Sequence, residues 1–475
     1  MGVVLGFITT ALLFPSILEE NQIGLLGIIS SYANILAHFA SLGMRNVIIK
    51  IFPVFKSEDK KHHGFISLVS ITVLIGYLLA VIIFFLIKEQ FLESGGNSST
   101  LLLDYLPLIF PLILFTLFFN IFDSFNSAIQ ESVIGVFAKE VLQRLIILAG
   151  ILLLFFHLID YETFVYLFVG AHLVTVLVSI FYFLSKGHLK FVIDRQFLKP
   201  ELIRHIISVA LFGLIAGSSG IVISNVDRIF IERYLGLGAT GIYMIVFYFA
   251  TLVILPSRAM LRITAPVVSE ALSKNDTDTV SDIYFKSSYY LWIAGLFIYG
   301  ALILNLENIF SFLPPEYSQG KSVLIIIGFM NLIEMATGAG RNIVANSRYY
   351  RYSTFFQVIL IVLLIVISII LIPKIGLAGA ALAALLSKLI ISILRFILIK
   401  NRFGLNPYNL RYLYVLFISG AAYVLSDQVP ILSNIYLDFI VRSGLFAIIT
   451  FLVLFFSKIA PDMNKWINKV ILKRQ

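Results

Sequence analysis

Among the ionisable side chains that stand in long apolar stretches of this chain, the candidates are Arg45, Lys139, Glu140, Arg144, Arg262, Glu334 and Arg341. A charge at the centre of a bilayer helix costs ~2.5–3.5 kcal/mol even on a lenient insertion scale, so residues of this kind line cavities or pair with one another. Glu140 and Arg144, spaced i,i+4, neutralise one pair, and Glu334 can serve another. Five cations against two carboxylates still leave three positive charges, and that remainder calls for an anionic ligand. The competing reading is snorkelling, in which the long stems lie along lipid-facing surface and the charges reach the head groups; it stays open above all for Arg262 and Arg341, near predicted helix ends. Polar side chains accompany these charges: Asn120, Asp123, Asn126 and Gln130 end one apolar stretch, and Asn331, Asn342 and Asn346 lie on another. Amides in such places line a cavity or glue neighbouring helices, and both can hold at once. With no cysteine there is no thiolate site or cysteine nucleophile. His38 and His172 are lone histidines in apolar helices and read as packing residues. No catalytic group, metal or cofactor is expected.

These charges need helices to hold them in a membrane. The 475 residues are 60% hydrophobic and 13% charged, with a mean hydropathy of +0.99, too much apolar surface for a water-soluble core. The chain is an all-α integral membrane protein with about fourteen segments long enough to cross a bilayer, given that a span needs ~20 residues. At an offset of 217, Leu18, Gly24, Ala33, Arg45 and Asp59 fall on Leu235, Gly241, Ala250, Arg262 and Asp276, with Tyr32 on Phe249. Predicted helices at 64–88, 100–126, 134–157 and 162–184 then recur at 281–308, 321–344, 350–373 and 376–400. A doubled six-helix unit is a transporter signature, since two pseudo-symmetric lobes can rock about a site held between them. The expected organisation is a lobe with its following loop at 1–200, a second lobe at 201–403, two additional helices within 404–458 and a tail at 459–475. The first segment, Gly2 to Ile17, is short: by the offset its counterpart begins about fifteen residues earlier, so either this helix is half-length or the start is assigned too late. No cleavable signal peptide is expected.

Lysine and arginine set the orientation. Loops after even-numbered helices and their flanks carry roughly two dozen of the 35 basic residues, which puts both termini in the cytoplasm. The net charge of +9 is thus mainly a topology signal, and no nucleic acid is needed to explain it. In the tail, Met463, Trp466, Ile467, Val470 and Ile471 form one helical face and Lys465, Lys469 and Lys473 another, a pattern for a helix lying on anionic lipid. The loops are too short for a soluble catalytic domain, which favours transport over enzymology. Asn97-Ser98-Ser99 is a chance-level match to a glycosylation sequon. On the outer side, Asn225, Asp227 and Arg228 close the seventh helix, where adjacent acid and base face different surroundings. Lys388 and Arg395, seven apart on one face of the twelfth helix, border a groove or snorkel. The small residues Gly376 to Ala381 open that helix for close packing.

Several runs together resemble the polysaccharide-transporter (Wzx-type) branch of the multidrug/oligosaccharidyl-lipid/polysaccharide (MOP) flippase superfamily. They are Ile23-Gly24-Leu25-Leu26, Ser41-Leu42-Gly43-Met44 before Arg45, Asn225-Val226-Asp227-Arg228 with Tyr234-Leu235-Gly236 and Ala239-Thr240-Gly241-Ile242-Tyr243, and Gly376 to Ala381. The resemblance implies a V-shaped central cavity between two six-helix lobes. It further implies a lipid-linked oligosaccharide, carried on undecaprenyl diphosphate, passed from the inner to the outer leaflet of a bacterial cytoplasmic membrane. Arg45, Lys139, Arg144, Arg262 and Arg341 would hold the diphosphate, the neutral amides would contact sugars, and the last two helices would form a groove for the lipid tail. Glycosyltransferases or a polysaccharide polymerase would be neighbours in the pathway, and membrane lipids are partners. Three other functions stay open: a peptidoglycan-precursor flippase, a cation-coupled multidrug exporter of the same superfamily, disfavoured by the cationic excess, and a non-directional scramblase or assembly factor.

Overall fold

The computed structural model describes residues 2–57, 60–93, 100–187, 197–430 and 432–457, and among these there are only helices, turns and loops. The amphipathic tail, the sequon at Asn97 and the repeat position Asp59 lie outside the described residues. Ten of the described helices are long and apolar enough to cross a membrane, and further apolar helical segments lie at 2–17, 133–155 and 410–427. The protein is a multi-pass membrane protein. Its chain divides into two compact units, Met1–Ile245 with Leu364–Gly376, and Val246–Leu363 with Leu377–Gln475.

In the first unit, α1 (Gly2–Phe7) leads through a π turn, Ile8–Leu13, into α2 (Phe14–Ile17). A capping box starts α3 (Glu20–Ala40): the Glu19 side chain accepts from the third backbone amide, and its own N–H donates to Gln22 Oε1 at 3.1 Å. The helix ends at Ser41–Gly43, where Leu42 and Gly43 take positive φ (46° and 76°), and α4 (Met44–Phe55) continues beyond the break. There follow α5 (Phe65–Glu93), α6 (Thr100–Tyr105), a tight turn at Pro107, α7 (Ile109–Ala128) and α8 (Val133–Phe137). A second π turn, Ala138–Leu142, joins α8 to α9 (Gln143–Phe155). Asp160 caps α10 (Tyr161–Ser185) by accepting from the Thr163 amide at 3.0 Å. The long α11 (Pro200–Ala250) is broken at Gly236, whose φ of 89° and ψ of −179° no helix contains. Phenylalanines from four helices form the core: Phe55–Phe65 centroids are 4.5 Å apart, Phe52–Phe125 5.9 Å and Phe125–Phe183 5.3 Å.

The second unit repeats the plan. After a turn at Thr251–Ile254, α12 (Leu255–Ser273) follows α11 as α4 follows α3, and each carries an internal proline, Pro266 and Pro53. Then come α13 (Thr277–Leu304), α14 (Leu306–Ser311), α15 (Lys321–Ala336), α16 (Gly340–Asn346), α17 (Tyr350–Ile375), α18 (Leu377–Phe403), α19 (Leu410–Asp427) and α20 (Ile435–Phe456). The single helix expected at 321–344 is in fact two, because Gly338 (φ 50°) turns the chain between α15 and α16. The Ser287 hydroxyl holds that turn by accepting from the Ala339 amide at 2.9 Å.

The 217-residue offset has a physical counterpart where α3 meets α11 in the first unit. A Cβ on Gly24 would strike the carbonyl of Leu237, and a Cβ on Gly241 would strike the carbonyl of Glu20. Gly24 and Gly241 are one offset pair, and Glu20 and Leu237 are another. The contact is therefore the same on both sides, the signature of a two-fold relation. A third pair closes it: Gly27 lies against Met244. In lipid, helices associate by such close backbone approach and van der Waals packing, because tails offer no hydrophobic drive.

Gly241→Val should therefore lower stability by about 1–3 kcal/mol through overpacking. Gly170→Ala, at a helix position where a Cβ meets nothing, should be neutral or slightly stabilising. Thermal unfolding of the purified variants in detergent checks both; equal melting temperatures would remove the crossing from the account.

Candidate functional site: two intramembrane charge clusters

The first cluster is built on the break after α3 and on the second π turn. Arg45 is the second residue of α4, exposed, at a helix N-terminus where the macrodipole disfavours a cation. Across from it on α7 lies Asp123, within Coulombic range of both Arg45 and Lys139. Asp123 packs so closely on Gly135 that a Cβ there would collide with its carboxylate. Lys139 and Glu140 stand in the π turn, which shifts the register between α8 and α9 and is a local geometry frequent at functional sites. The Lys139 ammonium lies 5.4 Å from the Phe119 ring centroid and has no hydrogen-bond partner among the described residues. Arg144 Nη2 is 2.6 Å from Glu140 Oε2, the expected i,i+4 pair, and its Nη1 donates to the Gly2 carbonyl. Three cations meet two carboxylates here. Sequence reasoning grouped Asp123 with the neutral amides; counting it leaves this cluster with an excess of one positive charge.

The second cluster depends on the turn at Gly338. Glu334 near the end of α15 and Arg341 at the start of α16 are seven residues apart, and the turn folds the Arg341 guanidinium back onto the Glu334 carboxylate. Glu334 lies also in Coulombic range of Lys388 and Arg395, presented from one face of α18, which packs along α15. Those two residues, read from sequence as groove-bordering or snorkelling, thus belong with Glu334 and Arg341. Arg395 Nη1 is buried without a hydrogen-bond partner among the described residues. Three cations face one carboxylate, an excess of two, so most of the uncompensated charge falls where sequence reasoning placed only Glu334 and Arg341.

Other candidates are placed differently. Arg262 and Arg258 are exposed on α12 with no bond among the described residues, and Arg258 had no distinguishing sequence signal beyond its charge. Asp227 is buried and accepts from the Tyr243 hydroxyl at 2.7 Å, while Arg228 beside it is half-buried. The amides serve as glue: Asn126 Nδ2 donates to the Ser179 carbonyl at 3.2 Å, Asn342 Nδ2 to the Leu261 carbonyl at 2.8 Å and Asn331 Nδ2 to the Ala250 carbonyl at 3.0 Å. Asn120 is half-buried on α7, and its carbonyl accepts from Ser124 Oγ at 2.7 Å. His38 Nε2 reaches the Leu214 carbonyl at 3.1 Å and so ties α3 to α11.

One buried ion pair escaped sequence reasoning although its i,i+4 spacing on an apolar helix is visible. On α20, Arg442 Nε lies 2.9 Å from Asp438 Oδ2, and its Nη2 donates to the Val429 carbonyl at 2.7 Å. Asp438 also accepts from Asn308 Nδ2 at 2.6 Å and from the Leu432 amide at 2.9 Å. With Asp427 Oδ1 also 3.6 Å from Arg442 Nη1, two carboxylates serve the one cation, so the network fastens α20 to the preceding helices and leaves no positive charge for an anionic ligand.

A family model described as polysaccharide biosynthesis protein matches residues 1–272, more than half of the chain. The chain belongs to the polysaccharide biosynthesis protein family. A structure of the lipid II flippase MurJ in an inward closed conformation is similar with a TM-score of 0.69 at 15% identity, over 96% of each chain. An inward-facing multidrug resistance MATE family transporter of the MOP superfamily is similar with a TM-score of 0.66 at 13% identity, over 85% of this chain and 94% of that one. A comparison with curated proteins finds no match. In this member of the polysaccharide biosynthesis protein family, each cluster draws some of its charges from a broken or π-distorted helix and the rest from a regular one.

The Arg144–Glu140 contact should appear as a coupling of about 0.5–3 kcal/mol in a double-mutant cycle with Arg144→Gln and Glu140→Gln, read by thermal unfolding. Strictly additive losses would reduce the pair to a surface contact.

Proposed function

We propose that this protein is a flippase that moves an oligosaccharide linked to undecaprenyl diphosphate from the cytoplasmic to the outer leaflet for surface polysaccharide synthesis. Both termini would lie in the cytoplasm of a bacterial cell, as the lysine and arginine distribution suggests. The observation that carries the proposal is the uncompensated positive charge among the apolar helices. It is largest around Glu334, Arg341, Lys388 and Arg395, where a buried guanidinium nitrogen has no acceptor among the described residues. Charged hydrogen bonds are about twice as strong as neutral ones, and arginine offers a fork suited to phosphate oxygens. A diphosphate supplies the acceptors and the negative charge that each cluster, taken by itself, lacks. The mechanism is then binding, reorientation and release, with alternating exposure of the head group and no covalent step. The residues named would hold the phosphate oxygens, and the sugars would follow as passengers.

Membership of the polysaccharide biosynthesis protein family supports a glycan cargo. A peptidoglycan precursor carries the same anionic linkage, so the clusters would serve it equally, and the fold shared with a lipid II flippase admits that cargo. A cationic drug would meet repulsion in both clusters.

Complementation of a flippase-deficient strain, scored by surface glycan and by accumulated lipid-linked precursor, tests the proposal. Lys388→Ala/Arg395→Ala and Arg45→Ala/Arg144→Ala should each reduce export by about ten-fold or more at normal expression. Lys186→Ala, which removes an exposed pair with Glu131 at 3.1 Å, should leave export nearly intact. Full activity of both double variants would leave snorkelling as the explanation of these charges. Loss of viability with unchanged surface glycan would point to the peptidoglycan cargo.

A further inference from the structure

A cavity of about 480 Å³ lies in the second unit where the ends of α12, α16 and α18 converge on the start of α13. That volume is within the ~300–1,000 Å³ of small-molecule sites. α13 begins at Thr277 and α18 ends at Phe403, and both helices are long and apolar enough to cross a membrane, so the cavity lies at the ends of two candidate spans, on the side where head groups would stand. One wall carries Arg348 and Arg402. Both are stacked on Tyr349, with Cζ atoms 5.0 Å and 5.5 Å from the ring centroid. Stacking fixes the two guanidiniums while leaving their N–H edges open. Neither has a hydrogen bond or ion pair among the described residues.

Asp276 stands on the same cavity and is committed elsewhere. It caps α13, accepting from the Thr279 amide at 3.0 Å and the Thr279 hydroxyl at 2.7 Å. Those bonds hold its carboxyl below the usual carboxylate range, so it is ionised at neutral pH. Two guanidiniums and one carboxylate leave one positive charge. Ser273 and Asn346 add neutral donors and acceptors, and Phe403 gives an apolar flank.

We infer that this cavity binds a phosphate monoanion, the phosphodiester of a phospholipid head group, with Arg348 and Arg402 as its ligands. One phosphodiester neutralises the cavity, its oxygens satisfy the open N–H edges, and its acyl chains run along the adjoining spans. The site is separate from the intramembrane clusters and does not depend on which cargo they carry. Free inorganic phosphate offers the same oxygens, and competition separates the two sources.

Native mass spectrometry of the full-length protein in detergent provides the test, with phosphatidylglycerol, a diacylglycerol of the same chains and inorganic phosphate as probes. Phosphatidylglycerol should be retained in a form that diacylglycerol is not, and R348Q/R402Q should weaken retention about ten-fold. Lys274→Gln removes a nearby base already paired with Glu270 at 2.6 Å and should change nothing. Displacement of the lipid by millimolar phosphate would support a site that reads the oxyanion alone. Resistance to phosphate, with lipid still lost in R348Q/R402Q, would support a site that reads the whole head group. Retention undiminished in R348Q/R402Q, or diacylglycerol held as tightly as phosphatidylglycerol, overturns the inference. If the double variant folds poorly, R402Q alone reads the same contact with a smaller loss, and unchanged retention there overturns it equally.

Discussion

A cation held in a membrane protein must find negative charge, and the ways in which this chain meets that demand organise the rest of the structure. Arg442 meets it completely: Asp438 and the Val429 carbonyl take its N–H groups, and Asn308 and the Leu432 amide in turn satisfy Asp438. Arg144 meets it with Glu140 and the carbonyl of Gly2. Arg395 does not: among the described residues one of its guanidinium nitrogens is buried without an acceptor, while Lys388 and Arg341 crowd the same carboxylate. A protein that satisfies Arg442 so fully on one helix, and leaves Arg395 open on another, differs at the two places in kind. Buried unpaired charge is among the more costly features a fold can hold, and where it persists a ligand is the natural counterpart.

The interruptions in the helices are what bring these charges together. An uninterrupted helix through 321–346 would carry Arg341 away from Glu334, two turns further along the axis. The positive φ of Gly338 and the Ser287 anchor reverse that. The break at Ser41–Gly43 puts Arg45 at the start of a new helix rather than in the middle of an old one. The π turn at Ala138–Leu142 does the same for Lys139 and Glu140 relative to Arg144. Irregular backbone inside a membrane is tolerated where other protein groups satisfy it, and transporters use such interruptions to build sites.

Much of this was legible in the sequence, for identifiable reasons. Hydropathy alone dictates a polytopic helical protein, and the i,i+4 spacing of Glu140 and Arg144 needs only a helix to become a contact. The offset of 217 acquires a physical meaning because Gly24, Gly241, Glu20 and Leu237 interlock as offset pairs, so the repeat is written in the packing as well as the residues. The joining of Glu334 to Arg341 was not legible as geometry, since it hinges on one glycine's backbone angle. Lys388 and Arg395 were visible as one face of a helix, but which helix that face meets is a tertiary fact. Asp123, placed among amides by its neighbours in sequence, acts with Arg45 and Lys139 once α4, α7 and the π turn are assembled. The amides Asn126 and Asn342 turned out to bond backbone carbonyls of other helices, a use that residue type alone cannot distinguish from cavity lining.

The central claim is that the uncompensated cations bind a diphosphate. The most direct measurement is equilibrium binding of undecaprenyl diphosphate and of undecaprenol to the purified protein in nanodiscs, at low and high salt. The account predicts that the diphosphate binds at least about ten-fold more tightly than the alcohol, that salt weakens only the diphosphate, and that Lys388→Ala/Arg395→Ala removes the difference. Equal affinity for the two lipids, or a preference for the diphosphate that survives in the double variant, would contradict it.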